Sequence, residues 1–590
     1  MASTHVVAAD VPFDDNQVPI ENRALNGSLH IISDDTVEES TVDPPSMLTI
    51  HTKDAPSFCT SADNGICSGQ SDLWYAAHLP QCSNTELTDC IVSVSASTAG
   101  GTQKTATFDR YFPNFGPQSY TGKPSIKLPT GRAPSVWKIP GAPHIGGDEY
   151  VVLARLKGNT GNRKTASFQL ALTPVSLKTD ADTTTDFRLP YWIQPGRMAG
   201  PASDRGLFRC AYWGENGACL LSRAFPVDTS FTVVVRLATE PAGWLHGRIN
   251  TPTISFTKDG DNTLVSVTAS PVQVPAFQIG KQYSEFPAAI QTAFALNGPY
   301  GEGGTRQPGG QYRTDPAMRN AEYNLTAYKN EGFEQLALMT DVIGDKAGWA
   351  PWMWRVRTLS DDEMNKAGKC LTTGDGVKGI VTTNATIYGS GPPSFNTTSG
   401  SLDYKVAAPH FTRTGDVFKG AYNLIMRSDV ARCFYNFTSA PVKADISVIE
   451  STGTEGKATT SIKEENGWLT LSASGFSHSA PTVRAKLSQD AVATTTTTAV
   501  YVPPVTTIKQ TGIQTKVKKT ISGTSLAKSV SLSIPKKAKI SITMASKYAK
   551  KCKVSRTSVK TLAKGTCVVK VTVTTSTKKK TSKNVTITVS

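Results

Sequence analysis

The last 80 residues of this 590-residue chain, Thr511 to Ser590, contain no aspartate and no glutamate, although they hold 19 basic side chains, 18 lysines plus Arg556. That absence excludes charge compensation inside the segment, so its field must be met by solvent ions or by a polyanion. The same stretch has one aromatic residue, Tyr548, which leaves almost no surface for stacking bases and disfavours nucleic acid as the polyanion. Long apolar runs are missing too. Nothing approaches the roughly 18 apolar residues of a membrane helix, so no membrane span is expected, and the C-terminus lacks the hydrophobic tail that covalent anchoring requires. Residues 1–30 show no cationic start followed by an apolar run, so any export signal is expected to have been removed or left off. Leu128-Pro129-Thr130-Gly131 then reads as an internal turn.

Signatures of chemistry are absent as well. There is no Gly-x-Ser-x-Gly elbow, no His-Glu-x-x-His and no phosphate-binding Gly-x-x-x-x-Gly-Lys-Ser/Thr, which argues against nucleotide chemistry. The eight histidines are scattered singly and no Cys-x-x-Cys occurs, so neither a metal nor another cofactor is expected. Asp259, Asp261 and Asn262 lack the closing bidentate glutamate of a calcium loop and read as a hairpin turn. A polysaccharide- or cell-wall-degrading hydrolase is the competing function. It needs two carboxylates about 5–10 Å apart, and the pairs Asp148/Glu149 and Glu464/Glu465 are more simply solvated turns. The sequence leans away from an enzyme.

What is present is β-forming. A composition rich in Thr, Ser, Gly and Pro, with 38% hydrophobic and 18% charged residues, favours strands and turns. The ten cysteines fall into sequential neighbours, Cys59/Cys67, Cys82/Cys90, Cys210/Cys219, Cys370/Cys433 and Cys552/Cys567. Even numbers at short spacing read as disulfides, which places the protein in an oxidising compartment outside the cell.

Periodicity sets out the organisation. Residues 1–45, with nine acids against Arg23 alone, are expected to be a flexible acidic arm. Alternating runs define β domains at 46–180 and 181–275, the latter with Phe231, Val233, Val235 and Leu237 on one face. A helix-containing insertion at 276–369 is marked by Phe286, Ile290 and Phe294, then Phe333, Leu336, Met339 and Ile343, and by the capping box Ser360-Asp361-Asp362-Glu363. Gly298–Gly310 reads as a glycine-rich loop. A β-sandwich follows at 370–490, then a Thr/Pro-rich linker at 491–510. The fold class is therefore mainly β, as serial β-sandwich, Ig-like domains with a small helical insertion around 283–368.

In 511–590 the apolar residues alternate cleanly (Val569, Val571, Val573; Val585, Ile587, Val589), so the lysines should decorate a folded domain. Cys552-Lys-Val-Ser, Val559, Leu562, Gly565-Thr566-Cys567 and the valines after them resemble the closing half of bacterial immunoglobulin-like surface domains. That resemblance implies a small sandwich at the cell surface. Two features depart from the family pattern: the abundance of lysine and the Cys552/Cys567 pair. More weakly, Ala440–Leu487 and Gly243–Arg248 resemble segments of uncharacterised exported actinobacterial proteins, which implies an envelope location and no activity.

Two aromatic clusters are candidate ligand sites. Trp349, Trp352 and Trp354 could form a platform for sugar rings, and Trp244 with His246 and Arg248 combines an indole, a base and a fixed cation suited to an acidic sugar. Core packing competes in both cases, because aromatic residues fill cores first. The lysines Lys536, Lys537, Lys539, Lys550, Lys551, Lys553, Lys578, Lys579 and Lys580 are the candidate polyanion contacts. The expected protein is thus an exported structural or recognition module of the cell surface or wall, held by its cationic domain to an anionic envelope polymer, with carbohydrate as a second candidate partner.

Overall fold

The computed structural model describes residues 14–17, 28–33, 46–51, 56–112, 119–161, 164–179, 210–213, 218–295, 321–325, 330–364, 368–372, 376–435, 442–450, 455–478, 482–489, 512–530 and most of 532–589. It is mainly β, with several separate sheets, and it divides into two units, Met1–Ala493 and Thr494–Ser590. The expected Gly298–Gly310 loop and the 491–510 linker lie outside the described residues.

The first unit is built around a sheet of 15 strands among the described residues. Its core is the hairpin Glu149–Asn159 and Lys164–Lys178, where Leu170 pairs with Ala154 and Phe168 with Leu156. Arg355–Thr358 pairs with this hairpin on one side and with Gly243–Arg248 on the other. Gly243–Arg248 then runs parallel to Val377–Thr383, which continues through Gly420–Arg427 to Trp468–Phe476. One hydrogen-bonded sheet therefore joins strands from all four segments between 46 and 490, and its edges do not fall at 180, 275 or 369.

Two further sheets cover it. Asn250–Asp259, Asn262–Ser270, Thr229–Leu237 and Cys90–Thr98 form most of a five-stranded sheet. In Thr229–Leu237 every second residue is buried, and Phe231, Val233, Val235 and Leu237 meet Tyr150, Val152 and Leu156 in one core. Ser401–Ala407, Thr482–Gln489 and Val442–Ile449 belong to a six-stranded sheet that packs Val448 and Val483 against Leu424, Met426 and Leu471. Burial of two sheet faces against a third layer needs apolar residues at period two, and the sequence supplies them.

The helical insertion is present, with Ala288–Ala293, Asn330–Thr340 and Asp361–Met364. Phe286, Ile290 and Phe294 pack with Leu336 and Met339. The backbone amide of Ser360 donates to the Glu363 carboxylate at 2.8 Å, and the Glu363 amide donates to Ser360 Oγ at 3.3 Å, completing the capping box. Helix Ser428–Tyr435, outside the insertion, carries Cys433 to its disulfide with Cys370.

The N-terminal arm needs correction where it is described. Ser28–Ser33 is a strand between Phe277–Gln282 and Ala321–Asn324, because Leu29, Ile31 and Ile32 are apolar enough to be buried in it. Asp15–Gln17 is a short 3-10 turn whose Asp15 accepts from the Ala350 amide at 3.0 Å, while Asn16 both donates to and accepts from the Trp352 backbone. Local charge composition does not register that three apolar side chains suffice for the middle strand of a three-stranded sheet.

Disulfides Cys59–Cys67, Cys82–Cys90, Cys370–Cys433 and Cys552–Cys567 form as neighbouring pairs. Cys219 is also disulfide-bonded, and the side chain of Cys210 lies outside the described residues.

Candidate functional site

Among its described residues the second unit sets seven strands around one core. Gly512–Thr515, Lys580–Val589, Gly565–Thr574 and Lys539–Met544 form a four-stranded sheet, and Thr520–Ser522, Ser558–Thr561 and Cys552–Val554 a three-stranded one. Ile521, Cys552 and Val559 from the smaller sheet meet Ile542, Val569, Val571, Val585 and Ile587 from the larger. The Cys552–Cys567 disulfide crosses between the two sheets. Because side chains alternate along a strand, filling the interior with these residues sends their neighbours outward.

Lys539, Lys553, Lys560, Lys570 and Lys580 are among those neighbours, and turns and a helix carry further lysines. Among the described residues of the unit all 13 are exposed: Lys516, Lys518, Lys519, Lys528, Lys539, Lys550, Lys551, Lys553, Lys560, Lys564, Lys570, Lys580 and Lys583. Lys536, Lys537, Lys578 and Lys579 lie outside the described residues. The two outer faces differ in density. On the four-stranded sheet, Lys539 and Lys580 flank Thr574, and Lys570 lies between Thr543 and Asn584. Between these rows runs one of hydroxyls, Ser541, Thr572 and Ser582, with Thr572 and Ser582 hydrogen-bonded at 2.8 Å.

On the three-stranded sheet the register sets Lys553 directly across from Lys560, with Thr520 on the other side of Lys560. Directly opposed side chains have Cβ atoms about 4.5–5.5 Å apart, and like charges there repel. No carboxylate exists in 494–590 to relieve them. Lys551 turns toward Gly565 at the margin of this face, where a Cβ on the glycine would lie 2.8 Å from Nζ. Lys560 escaped sequence reasoning because strand register, not local composition, brings it beside Lys553.

The aromatic candidates of the first unit are placed differently from a ligand platform. Trp352 and Trp354 share a side, as alternation implied, but that side is the core: Trp354 is buried and its indole donates to the Ala269 carbonyl at 2.9 Å, and Trp352 is half-buried against the same core. Trp349 is buried as well. It contributes to the wall of a cavity of about 180 Å³ together with Asp15, Gln273, Thr412, Arg413 and Phe418. Asp15 is the sole carboxylate among the described residues lining it, so the cavity lacks the pair that glycoside hydrolysis uses.

Trp244, His246 and Arg248 point to one side of a central strand and are 1%, 3% and 0% exposed. Trp244 fits because its register neighbour is Gly379, where a Cβ would come within 2.4 Å of the indole. The His246 ring stacks on Tyr388 at 3.8 Å between centroids, and Arg248 lies 4.6 Å from the same ring while donating to the Thr383 and Ala385 carbonyls. Burial, reinforced by Arg248, Arg357 and Arg355, holds the His246 imidazole well below its ordinary pKa. It is therefore neutral and sealed from solvent. Nearby, Arg357 grips Glu363 with two hydrogen bonds of 2.8 Å. Burial alone would raise that carboxyl, but Arg357 and the Ser360 capping contacts bring it below the ordinary value.

No group of three or more His, Cys, Asp or Glu side chains suited to a metal occurs among the described residues, and no helix among them is long and apolar enough to cross a membrane. No family model matches the chain, and no curated protein sequence matches it.

Proposed function

We propose that the protein is an exported attachment module of a bacterial cell envelope, in which the immunoglobulin-like second unit binds an anionic surface polymer and the first unit serves as the structural or recognition body. One observation carries this: every described lysine of 494–590 is exposed, on a sandwich with no carboxylate of its own. The whole chain has 62 basic side chains, of which 20 lie in 494–590, leaving 42 against 47 acids in the first unit. Charge is thus segregated between units rather than spread, as expected of an address for polyanions rather than of a general solubility device. The disulfides support export, since they persist in oxidising surroundings.

The test is retention of the full chain and of residues 1–510 on isolated cell walls across a salt gradient. Attachment by counterion release predicts strong, salt-sensitive retention of the full chain and little of the truncated one. Equal retention of both would end the proposal.

A further inference from the structure

We infer that the outer face of the three-stranded sheet, centred on the opposed pair Lys553 and Lys560, is the site that engages the phosphate groups of a linear anionic polymer; this rests on the attachment function proposed above. The two outer faces of the unit make the choice physical. On the four-stranded face, Lys539, Lys570 and Lys580 stand apart, separated by threonines, serines and Asn584. On the three-stranded face, two ammonium groups occupy directly opposed positions with Thr520 next in the row. Inward neighbours fix both lysines: Val554 and Val559 beneath the row are paired with each other, and Cys552 is tied to Cys567.

Opposed like charges cost stability in the free protein. A bound anion between them removes that cost, so the pair is preorganised to gain from an anion and from nothing neutral. The two ammonium groups bring six N–H donors to positions one strand spacing apart, in a row that also holds the exposed Thr520. Lysine binds phosphate as a point charge, and no described residue of this face is an arginine, whose fork matches phosphate and carboxylate alike. Phosphate is accordingly the assigned group, met by one lysine from each of two paired strands.

The experiment uses the full chain and long-chain inorganic polyphosphate as probe, with alginate as the carboxylate comparison, by fluorescence anisotropy at several salt concentrations. Three proteins are compared: wild type, K553Q/K560Q, and K539Q/K570Q/K580Q. The double variant should lose about tenfold or more in affinity for polyphosphate, and the triple variant less, although it removes one more charge. A diffuse field predicts the reverse order, and that order would overturn the inference while leaving attachment by the unit intact. Alginate should bind more weakly, and its binding should be less affected by K553Q/K560Q; an equal loss on alginate would overturn the phosphate assignment. Removing the repulsion should also raise the melting temperature of the double variant, so weaker binding by a more stable protein excludes misfolding as the cause. Lys560→Arg, which keeps the charge, should retain binding and guards against a packing defect in the double variant. Failure of wild type to bind either polymer or cell walls would refute the attachment function itself.

Discussion

Replacing His478 with phenylalanine should flatten the acid sensitivity of the first unit. His478 is 1% exposed, neither ring nitrogen has a hydrogen-bond partner among the described residues, and its neighbours are the rings of Phe418 and Phe476. Burial, with smaller contributions from His410 and Arg248, pushes the imidazole down from 6.5 to about 3. The folded state therefore excludes a proton that the unfolded chain accepts, so stability is full above pH 6.5 and is lost as pH falls from there toward 3. Each pH unit in that window costs about 1.4 kcal/mol, so moving from pH 7.5 to pH 4.5 should remove about 2–3 kcal/mol through this one ring. Phenylalanine fills the same aromatic niche and does not titrate. Urea unfolding followed by tryptophan fluorescence isolates the right unit, because all nine tryptophans precede residue 494. Asp89, whose burial raises its carboxyl to about 6, shifts stability the opposite way but is common to both proteins, so the difference between them reports His478. Equal pH dependence in wild type and His478→Phe would refute the claim that the ring is held neutral.

Two further outcomes follow from packing. Trp354→Ala should cost the first unit about 3–5 kcal/mol by opening a cavity and orphaning the Ala269 carbonyl, which a chemical melt measures; loss of carbohydrate binding at unchanged stability would restore the platform idea. Cys552→Ser with Cys567→Ser should lower the stability of the second unit by about 3 kcal/mol, the loop-entropy value for a 15-residue loop, visible as a downward shift of its calorimetric transition; no shift would show that the apolar core alone holds the two sheets.

Much of this was legible from period and spacing, because the information is local. Phe231, Val233, Val235 and Leu237 alternate whatever they pack against, Ser360 and Glu363 cap each other within one turn, and Cys59 and Cys67 are eight residues apart. What escaped depends on partners distant in sequence. Trp352 and Trp354 share a side by alternation, yet only the strand pairing of Thr229–Leu237 and Asn262–Ser270 beneath them decides that this side is core. The acidity of residues 1–45 concealed Leu29 and Ile31, whose strand pairs with Phe277–Gln282 and Ala321–Asn324, almost 250 residues later and more. Trp244 could be judged buried only once Gly379 was known to lie beside it.

The pairing of the first and last strands in the second unit has a mechanical consequence. Gly512–Thr515 runs parallel to Thr586–Val589, with Gly512 level with Thr586 and Thr515 with Val589. Tension arriving through the preceding chain pulls Gly512–Thr515 along its own axis, so the interstrand hydrogen bonds are loaded together, in shear, rather than peeled one after another. A unit gripped by a surface through its lysines while its N-terminal end is tugged resists by the rate at which this pairing lets go, not by its equilibrium stability. The same sandwich entered at an antiparallel edge hairpin would unzip under a fraction of that load.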